Sequence, residues 1–235
     1  MILQADVKGL EVVCAAWLSK DKVLYNELNT NVDIHQVNQD AFGLPNRLIA
    51  KILKFRTIYG GNEYSFANDP DFTPVSSSTK YWKKVLEKYF DKYYGLAAWH
   101  NKICSEVGKT GKLTTPLGRT FKWDCMKFGS FKIPSTQVKN YPVQGTGADV
   151  VSIARVLLYR RWKKANISGV LVNTVHDSIV ADVEKKDVDK VAELYYNVFR
   201  DVPRNINNIF GVNFDLETKV EILVGQDMYN LSEVK

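Results

Sequence analysis

Two apolar segments separated by only two polar residues constrain this sequence more than any other feature. Residues 169–175 and 178–183 are mainly apolar and rich in β-branched residues, and His176 and Asp177 lie between them. So short a connection joins two strands only as an antiparallel hairpin. Residues 2–7 and 214–224 also have strand character. Because helical patterns separate these segments, the sequence predicts an α+β fold with an antiparallel sheet and flanking helices.

Helical periodicity and capping residues place the other elements. Asp33 is expected to cap one short helix, and Pro45 and Asn46 are expected to open another that ends near Gly60. A hairpin is predicted at residues 112–123. The remaining helices are predicted at residues 9–19, 79–107, 144–165 and 185–207.

Composition excludes several classes of protein. The 235 residues are 45% apolar and 25% charged, which is ordinary for a globular chain and excludes disordered, collagenous and coiled-coil proteins. The three cysteines, Cys14, Cys104 and Cys125, lack CxxC spacing, so a reducing, cytoplasmic location is expected. The chain shows neither a signal peptide nor a segment long enough to span a membrane. A net charge of +6 favours a polyanionic partner only weakly.

The helix that begins after Asn46 carries a stripe of four side chains spaced four residues apart. Arg47 and Lys51 come first, and Phe55 and Tyr59 follow, with Gly60 next. Residues four apart lie on one helix face. Two cations followed by two aromatic rings suit a nucleoside triphosphate, whose phosphates would meet the cations. The alternative is an ordinary amphipathic helix whose apolar face includes Phe55.

Two carboxylates are expected at the ends of apolar strands. Asp6 ends the strand at residues 2–7, and Asp177 lies at the predicted hairpin tip. Two carboxylates of this kind can share a pair of divalent ions, which is the standard device for in-line phosphoryl transfer. Taken alone, Asp6 could instead be a charge stabilised by the next helix N-terminus, and His176-Asp177 an ordinary turn. Gly145 and Gly147 could let the backbone approach a ligand closely, but taken alone they favour the simple start of a helix.

Together these motifs resemble DNA polymerase family A, the DNA polymerase I type. His35 lies twelve residues before Arg47, a spacing similar to that of the compact bacteriophage replicative branch of the family. The resemblance covers nearly the whole chain. Its matching segments are Asp6 to Glu11, Asp33 to His35, Arg47 to Gly60, Thr115 to Arg119, Gln144 to Asp149, Val175 to Asp177 and Val220 to Gly225.

The resemblance implies a role for each matched position. Asp6, Asp177 and the backbone carbonyl of Val7 would bind two Mg²⁺ ions. Lys51 would contact the triphosphate and could protonate the departing pyrophosphate. The other nucleotide-binding residues would be Glu11 and Tyr59 at the sugar and base, His35 and Arg47 at the outer phosphates, and Phe55. The DNA-binding residues would be Asn140, Gln144 and His176, near the primer terminus.

The resemblance also implies a domain organisation and partners. Residues 1–32 and 111–235 would form the palm, and residues 33–110 the fingers. The ligands would be primer-template DNA and deoxynucleoside triphosphates. The thumb and exonuclease domain are expected to be absent, so a second polypeptide would supply the thumb and upstream palm or exonuclease. It is predicted to contact a sheet edge near residues 2–7.

Two positions depart from the family pattern. Val13 stands where the family usually has arginine, and Ser178 stands where its DNA polymerases usually have glutamate. His176-Asp177-Ser178 is similar to single-subunit RNA polymerases, although Glu11 and Phe55 favour DNA synthesis. Two alternatives therefore remain: an RNA polymerase-like fragment, and a nucleic-acid-binding relic that no longer polymerises.

Overall fold

The computed structural model describes residues 1–30, 32–124, 126–127, 130–131 and 133–234, so Cys125 lies outside the described residues. The strands are β1 (Ile2–Val7), β2 (Lys112–Thr114), β3 (Thr120–Lys122), β4 (Met126–Lys127), β5 (Ser130–Phe131), β6 (Gly169–Val175), β7 (Ser178–Val183), β8 (Val220–Gly225) and β9 (Leu231–Glu233). The helices are α1 (Leu10–Ser19), α2 (Lys22–Asn29), α3 (Ile34–Phe42), α4 (Arg47–Ile58), α5 (Glu63–Ala67), α6 (Thr79–Lys92), α7 (Tyr94–Thr110), α8 (Ser135–Ala165) and α9 (Val188–Phe210), with a 3₁₀ turn at Lys185–Asp187.

The chain divides into two compact units, and the first comprises residues 1–10 and 145–235. Its sheet has the strand order β6-β7-β1-β8-β9, and every neighbouring pair is antiparallel. The predicted α+β fold and the hairpin at residues 169–183 are therefore confirmed. The prediction of a partner at a sheet edge near residues 2–7 is wrong, because β1 is the central strand and its backbone is paired on both sides.

Strand β1 has one buried face and one accessible face. Leu3, Ala5 and Val7 are fully buried, whereas the alternate residues, including Asp6, are partly exposed. Helix α9 packs against β1 and β8 and contributes a row of buried side chains: Val191, Tyr195, Val198, Phe199, Val202 and Ile206. The period-2 pattern of β1 thus fixes Asp6 on the accessible face, where a carboxylate can meet a ligand.

The second unit, residues 11–144, contains α2 to α7 and the hairpin of β2 and β3. The caps predicted at Asp33 and Asn46 are present. The single helix predicted at residues 79–107 is wrong, because the backbone breaks at Tyr93. The Asp21 carboxylate there accepts the N–H of Leu96 at 3.0 Å and so caps α7 from a distant part of the chain.

Helix α8 begins earlier than the sequence predicts. It starts at Ser135 rather than near residue 144, and Pro142 lies inside it. Proline removes one helical hydrogen bond, but its fixed φ remains compatible with the helix. Buried Val138 and Val143 flank the proline on either side, so packing offsets that loss. Asn140 and Gln144 consequently project from a helix rather than from a helix entry.

Within the described residues, no helix is long and apolar enough to cross a membrane.

A buried polar cluster ties α2, α3, α4 and α6 together. The Lys92 ammonium donates at 2.7 Å both to Glu27 Oε1 and to Asn38 Oδ1. The Tyr93 hydroxyl donates to the other Glu27 oxygen at 2.8 Å. Lys54 is fully buried in α4, and its Nζ has no hydrogen-bond partner among the described residues. Burial lowers the pKa of Lys54 to about 7, a fall that the Glu27 charge opposes and the Lys92 charge deepens.

Lys54→Met is expected to stabilise the protein. The folded state holds Lys54 neutral above a pKa of about 7, whereas an unfolded chain keeps it charged up to about 10.5. The unfolded state therefore binds the extra proton between these values, and wild-type stability rises with pH across that window. Each tenfold change in proton affinity is about 1.4 kcal/mol. Lys54→Met should therefore raise the free energy of unfolding at neutral pH by on the order of 4 kcal/mol. Urea denaturation at several pH values would measure this gain, and the variant should lose the pH dependence.

Lys92→Met is the matched control and should have the opposite sign. It leaves the buried Glu27 carboxylate without its cation, which typically costs about 3–5 kcal/mol for a buried pair. A Lys54→Met variant that is less stable than the wild type at pH 7 would contradict the buried, unpaired environment of this amine.

Candidate active site

The two strand-end carboxylates belong to one end of the sheet in the first unit. The Val7 N–H donates to the backbone carbonyl of Asp177 at 3.1 Å. Asp6 lies directly opposite Ser178 in the β1–β7 register. His176 has a φ of +53°, a left-handed conformation that is uncommon for a side chain other than glycine, and it turns the chain between β6 and β7. The tight turn therefore holds Asp177 beside the end of β1.

Three groups at this end of the sheet could bind a Mg²⁺ ion: the carboxylates of Asp6 and Asp177 and the carbonyl of Val7. All three offer hard oxygen atoms, which Mg²⁺ prefers. In the part of the chain that the structure describes, no group of three or more His, Cys, Asp or Glu is placed to hold a metal. Mg²⁺ commonly binds through one or two carboxylates and completes its shell with water and substrate phosphates. A site with few protein ligands therefore suits Mg²⁺ better than a closed structural metal site.

Asp6 has different neighbours on its two sides. On the β7 side, the Ser178 hydroxyl donates to the Val175 carbonyl at 2.9 Å, which closes the turn. On the β8 side, Asp6 lies opposite Glu221, and Glu221 is bound to Lys8 at 3.1 Å. The sequence motifs did not single out Lys8 or Glu221 as site residues, because the pair forms only when β8 lies beside β1.

Helix α4 presents the predicted stripe within the second unit. The Asn46 side chain accepts the N–H of Ile49 at 2.9 Å and so fixes the start of the helix. Arg47 and Lys51 are exposed, whereas Phe55 and Tyr59 are partly buried. The opposite side of the helix is anchored by buried side chains: Ile49, Ala50, Leu53 and Ile58. The stripe therefore offers two accessible cations followed by two aromatic rings, as the spacing of four predicts.

Arg47 and His35 differ in charge. Arg47 Nε donates to Asp33 Oδ2 at 2.7 Å, and this hydrogen bond lowers the pKa of Asp33. Burial lowers the pKa of His35 to about 4, and the nearby charges of Lys54 and Arg47 act in the same direction. The His35 ring lies 6.2 Å from the Phe55 ring. His35 is consequently neutral at pH 7, and it can offer a phosphate a single N–H donor rather than a positive charge.

Tyr59 interacts with the first and the last residue of the second unit. The side chains of Glu11 and Gln144 both act on the pKa of its hydroxyl. Burial raises the pKa of Tyr59 first, and the charge of Glu11 raises it further. The Tyr59 hydroxyl therefore stays protonated at neutral pH. The resemblance names Glu11 and Tyr59 together, and the influence of Gln144 on Tyr59 is additional.

The predicted site residues are divided between the two units. Asp6, Val7, His176 and Asp177 belong to the first unit. The second unit holds Glu11, His35, Arg47, Lys51, Phe55, Tyr59, Asn140 and Gln144. The Asn140 Oδ1 atom is buried and has no hydrogen-bond partner among the described residues. The catalytic and binding roles, and the palm and fingers boundaries, stay predictions.

The first unit thus carries the two strand-end carboxylates, and the second unit carries the cationic helix stripe. The model of the family described as DNA polymerase family A matches residues 1–230. The chain therefore belongs to DNA polymerase family A.

Curated relatives are bacterial DNA polymerases I. That of Aquifex aeolicus (strain VF5) is 27% identical over 201 residues, which cover 81% of this chain and 33% of the relative. That of Bacillus caldotenax is 25% identical over 227 residues, covering 90% of this chain and 25% of the relative. The chain thus spans about a quarter to a third of the length of these relatives.

A solved structure shares the fold. It is described as the POL domain of Pol1 from M. smegmatis in complex with DNA primer-template and dNTP, and it aligns with a TM-score of 0.81 at 22% identity. The alignment covers 96% of this chain and 39% of that chain. At this identity the likeness establishes the polymerase-domain fold.

Proposed function

We propose that this chain is the catalytic palm and fingers portion of a template-directed DNA polymerase, which adds deoxynucleotides to a primer 3′-hydroxyl. The observation that carries the proposal is the hydrogen bond from Val7 N–H to the Asp177 carbonyl at 3.1 Å. In a family A chain, this bond places the two strand-end carboxylates at one end of the sheet. The M. smegmatis structure, which holds primer-template and dNTP, supports the same class of ligands.

The chemistry would be two-metal-ion phosphoryl transfer. Two bound Mg²⁺ ions would lower the pKa of the primer hydroxyl and neutralise charge on the triphosphate. Asp6, Asp177 and the Val7 carbonyl would hold them. Lys51 is exposed on α4, so its ammonium can bind a phosphate and release a proton to the leaving pyrophosphate.

The remaining residues would bind and select the nucleotide. Arg47 would exchange its bond with Asp33 for a phosphate, and neutral His35 would donate one hydrogen bond. Phe55 and Tyr59 would pack against the sugar and base, and Glu11 would exclude a 2′-hydroxyl. The proposed contacts with DNA near the primer terminus are made by Asn140, Gln144 and His176.

The proposal includes a second polypeptide that supplies the thumb and upstream palm or exonuclease. Polymerases hold duplex DNA through phosphate contacts from several subdomains, and such a polypeptide would add contacts of this kind. Because β1 is central, the exposed edges for such a partner are β6 and β9. A bacteriophage source and a cytoplasmic location belong to the proposal as well, although the curated relatives above are bacterial.

Primer extension tests this function. The 235-residue chain should add deoxynucleotides slowly, in a template-directed and Mg²⁺-dependent manner, at low salt. A polypeptide that carries the thumb and upstream palm, encoded in the neighbouring reading frame, should raise the rate at least about tenfold, because it restores phosphate contacts. If no template-directed addition is seen even with the partner present, the chain is a nucleic-acid-binding relic and not a polymerase.

A second candidate, RNA synthesis, is favoured by one residue. Ser178 follows Asp177 as in single-subunit RNA polymerases, and its hydroxyl bonds the Val175 carbonyl instead of offering a third carboxylate. The extension assay decides between the two when it is run with ribonucleotides in parallel. A preference for ribonucleotides by the unmodified chain would replace the DNA polymerase assignment.

A further inference from the structure

Lys8 connects the end of β1 to the neighbouring strands through both its backbone and its side chain. Its N–H donates to the Lys219 carbonyl at 2.9 Å. Its ammonium lies 3.1 Å from Glu221 Oε1 on β8 and 3.9 Å from Glu233 Oε1 on β9. Lys8 directly follows Val7, whose N–H bonds Asp177 on the other side. Residues 6–8 are therefore held by contacts along both edges of β1.

Glu221 is also the carboxylate closest to Asp6 in strand register. The two residues lie directly opposite each other on β1 and β8, so their side chains emerge on the same face. Opposed like charges destabilise a strand pair. Lys8 supplies the cation that neutralises Glu221, while the opposite neighbour of Asp6, Ser178, is uncharged.

We propose that Lys8 and Glu221 form a positioning pair that fixes Asp6 and the Val7 carbonyl in their catalytic arrangement. For its catalytic part, this inference rests on the proposed polymerase function. The pair itself is partly exposed, with Lys8 and Glu221 side chains 51% and 39% accessible, and exposed pairs contribute little to global stability. Its effect falls instead on alignment, because small displacements of reacting groups cost far more in rate than in folding.

Amide hydrogen exchange tests the positioning without DNA, nucleotide or metal. Lys8→Met and Glu221→Gln should each make the Val7 and Lys8 amides exchange about threefold to fivefold faster, as expected for the loss of one exposed ion pair. Lys186→Met is the matched control, since Lys186 is paired at 2.7 Å with Glu184 in a local turn. Unchanged exchange at Val7 and Lys8 in both variants would overturn the pair's role.

Single-nucleotide addition tests the catalytic consequence. At saturating Mg²⁺, both single variants should lower kcat about tenfold, with KM for the nucleotide and primer-template affinity unchanged. The charge swap Lys8→Glu with Glu221→Lys should recover most of that loss, whereas each reversal alone should not.

Two results separate this inference from its competitors. Suppose that Glu221→Gln raises the Mg²⁺ concentration needed for half-maximal rate, whereas Lys8→Met lowers it. Glu221 is then itself a metal ligand, and the pair is not a positioning device. If the wild type adds no nucleotide even with its partner, the proposed function fails. The exchange measurement still decides whether the pair fixes residues 6–8.

Discussion

Asp177→Asn is expected to lower the rate of Mg²⁺-dependent nucleotide addition by at least about a hundredfold. Asp177 offers one of the two carboxylates at the end of the sheet, and its backbone carbonyl accepts the Val7 N–H at 3.1 Å. A catalytic metal supplies several kcal/mol of transition-state stabilisation, and each 1.4 kcal/mol or so is a tenfold change in rate. The asparagine keeps the size and the backbone bond, so folding and DNA binding should be preserved. Single-turnover extension and a parallel DNA-binding titration measure the two effects.

Asp182→Asn is the matched control for this experiment. Asp182 lies at the other end of the same strand, is 59% exposed and pairs with the N-terminal amine of Met1. Its loss removes an equal charge from β7 without touching the two strand-end carboxylates, so activity should stay near the wild-type value. Near-normal activity in Asp177→Asn would sink the metal-site assignment.

Elements specified by local patterns were predictable from sequence. The apolar segments that form β1, β6 and β7 and the two-residue connection at His176-Asp177 predicted the strand bounds that the structure has. Asp33 and Asn46 were recognisable as helix caps because their side chains bond backbone N–H groups two and three residues onward. Each of these signals acts within a few residues, so no tertiary information is needed to read it.

Elements decided by distant contacts were not predictable. The break at Tyr93 depends on Asp21, which is 75 residues from the Leu96 N–H that it accepts, and on a hydroxyl that bonds Glu27. Gly95 is required by the same approach, since a Cβ there would lie 2.7 Å from the Asp21 Cα. The central position of β1 likewise follows from strand order, which periodicity does not encode.

The candidate site shows the same division. The spacing of four on α4 predicted which side chains share a stripe, and the structure has them accessible or partly buried as a binding face requires. The neutrality of His35 was not predictable, because it arises from burial and from Lys54 and Arg47. The Lys8–Glu221 pair and the influence of Gln144 on the pKa of Tyr59 also depend on residues far apart in sequence.

Glu11→Ala is expected to raise ribonucleotide incorporation relative to deoxyribonucleotide by about a hundredfold, within the range that a filled or emptied pocket contributes to specificity. The charge of Glu11 raises the pKa of the partly buried Tyr59 hydroxyl. Together the two side chains would occupy the space of a 2′-hydroxyl. The ratio of kcat/KM for the two nucleotides on one template measures the change. Deoxynucleotide kcat/KM should fall much less than the ratio rises.

Tyr59→Phe separates two ways in which Glu11 could exclude the 2′-hydroxyl. The phenylalanine keeps the ring and removes the hydroxyl on which Glu11 and Gln144 act. If the Glu11 carboxylate is the barrier and Tyr59 only orients it, Tyr59→Phe should raise ribonucleotide use by a smaller factor, and Glu11→Ala should add little to it in the double variant. If neither variant changes the ratio, selection against ribose lies elsewhere. Equal effects in the two variants would mean that the Tyr59 hydroxyl, rather than the volume of Glu11, determines which sugar is accepted.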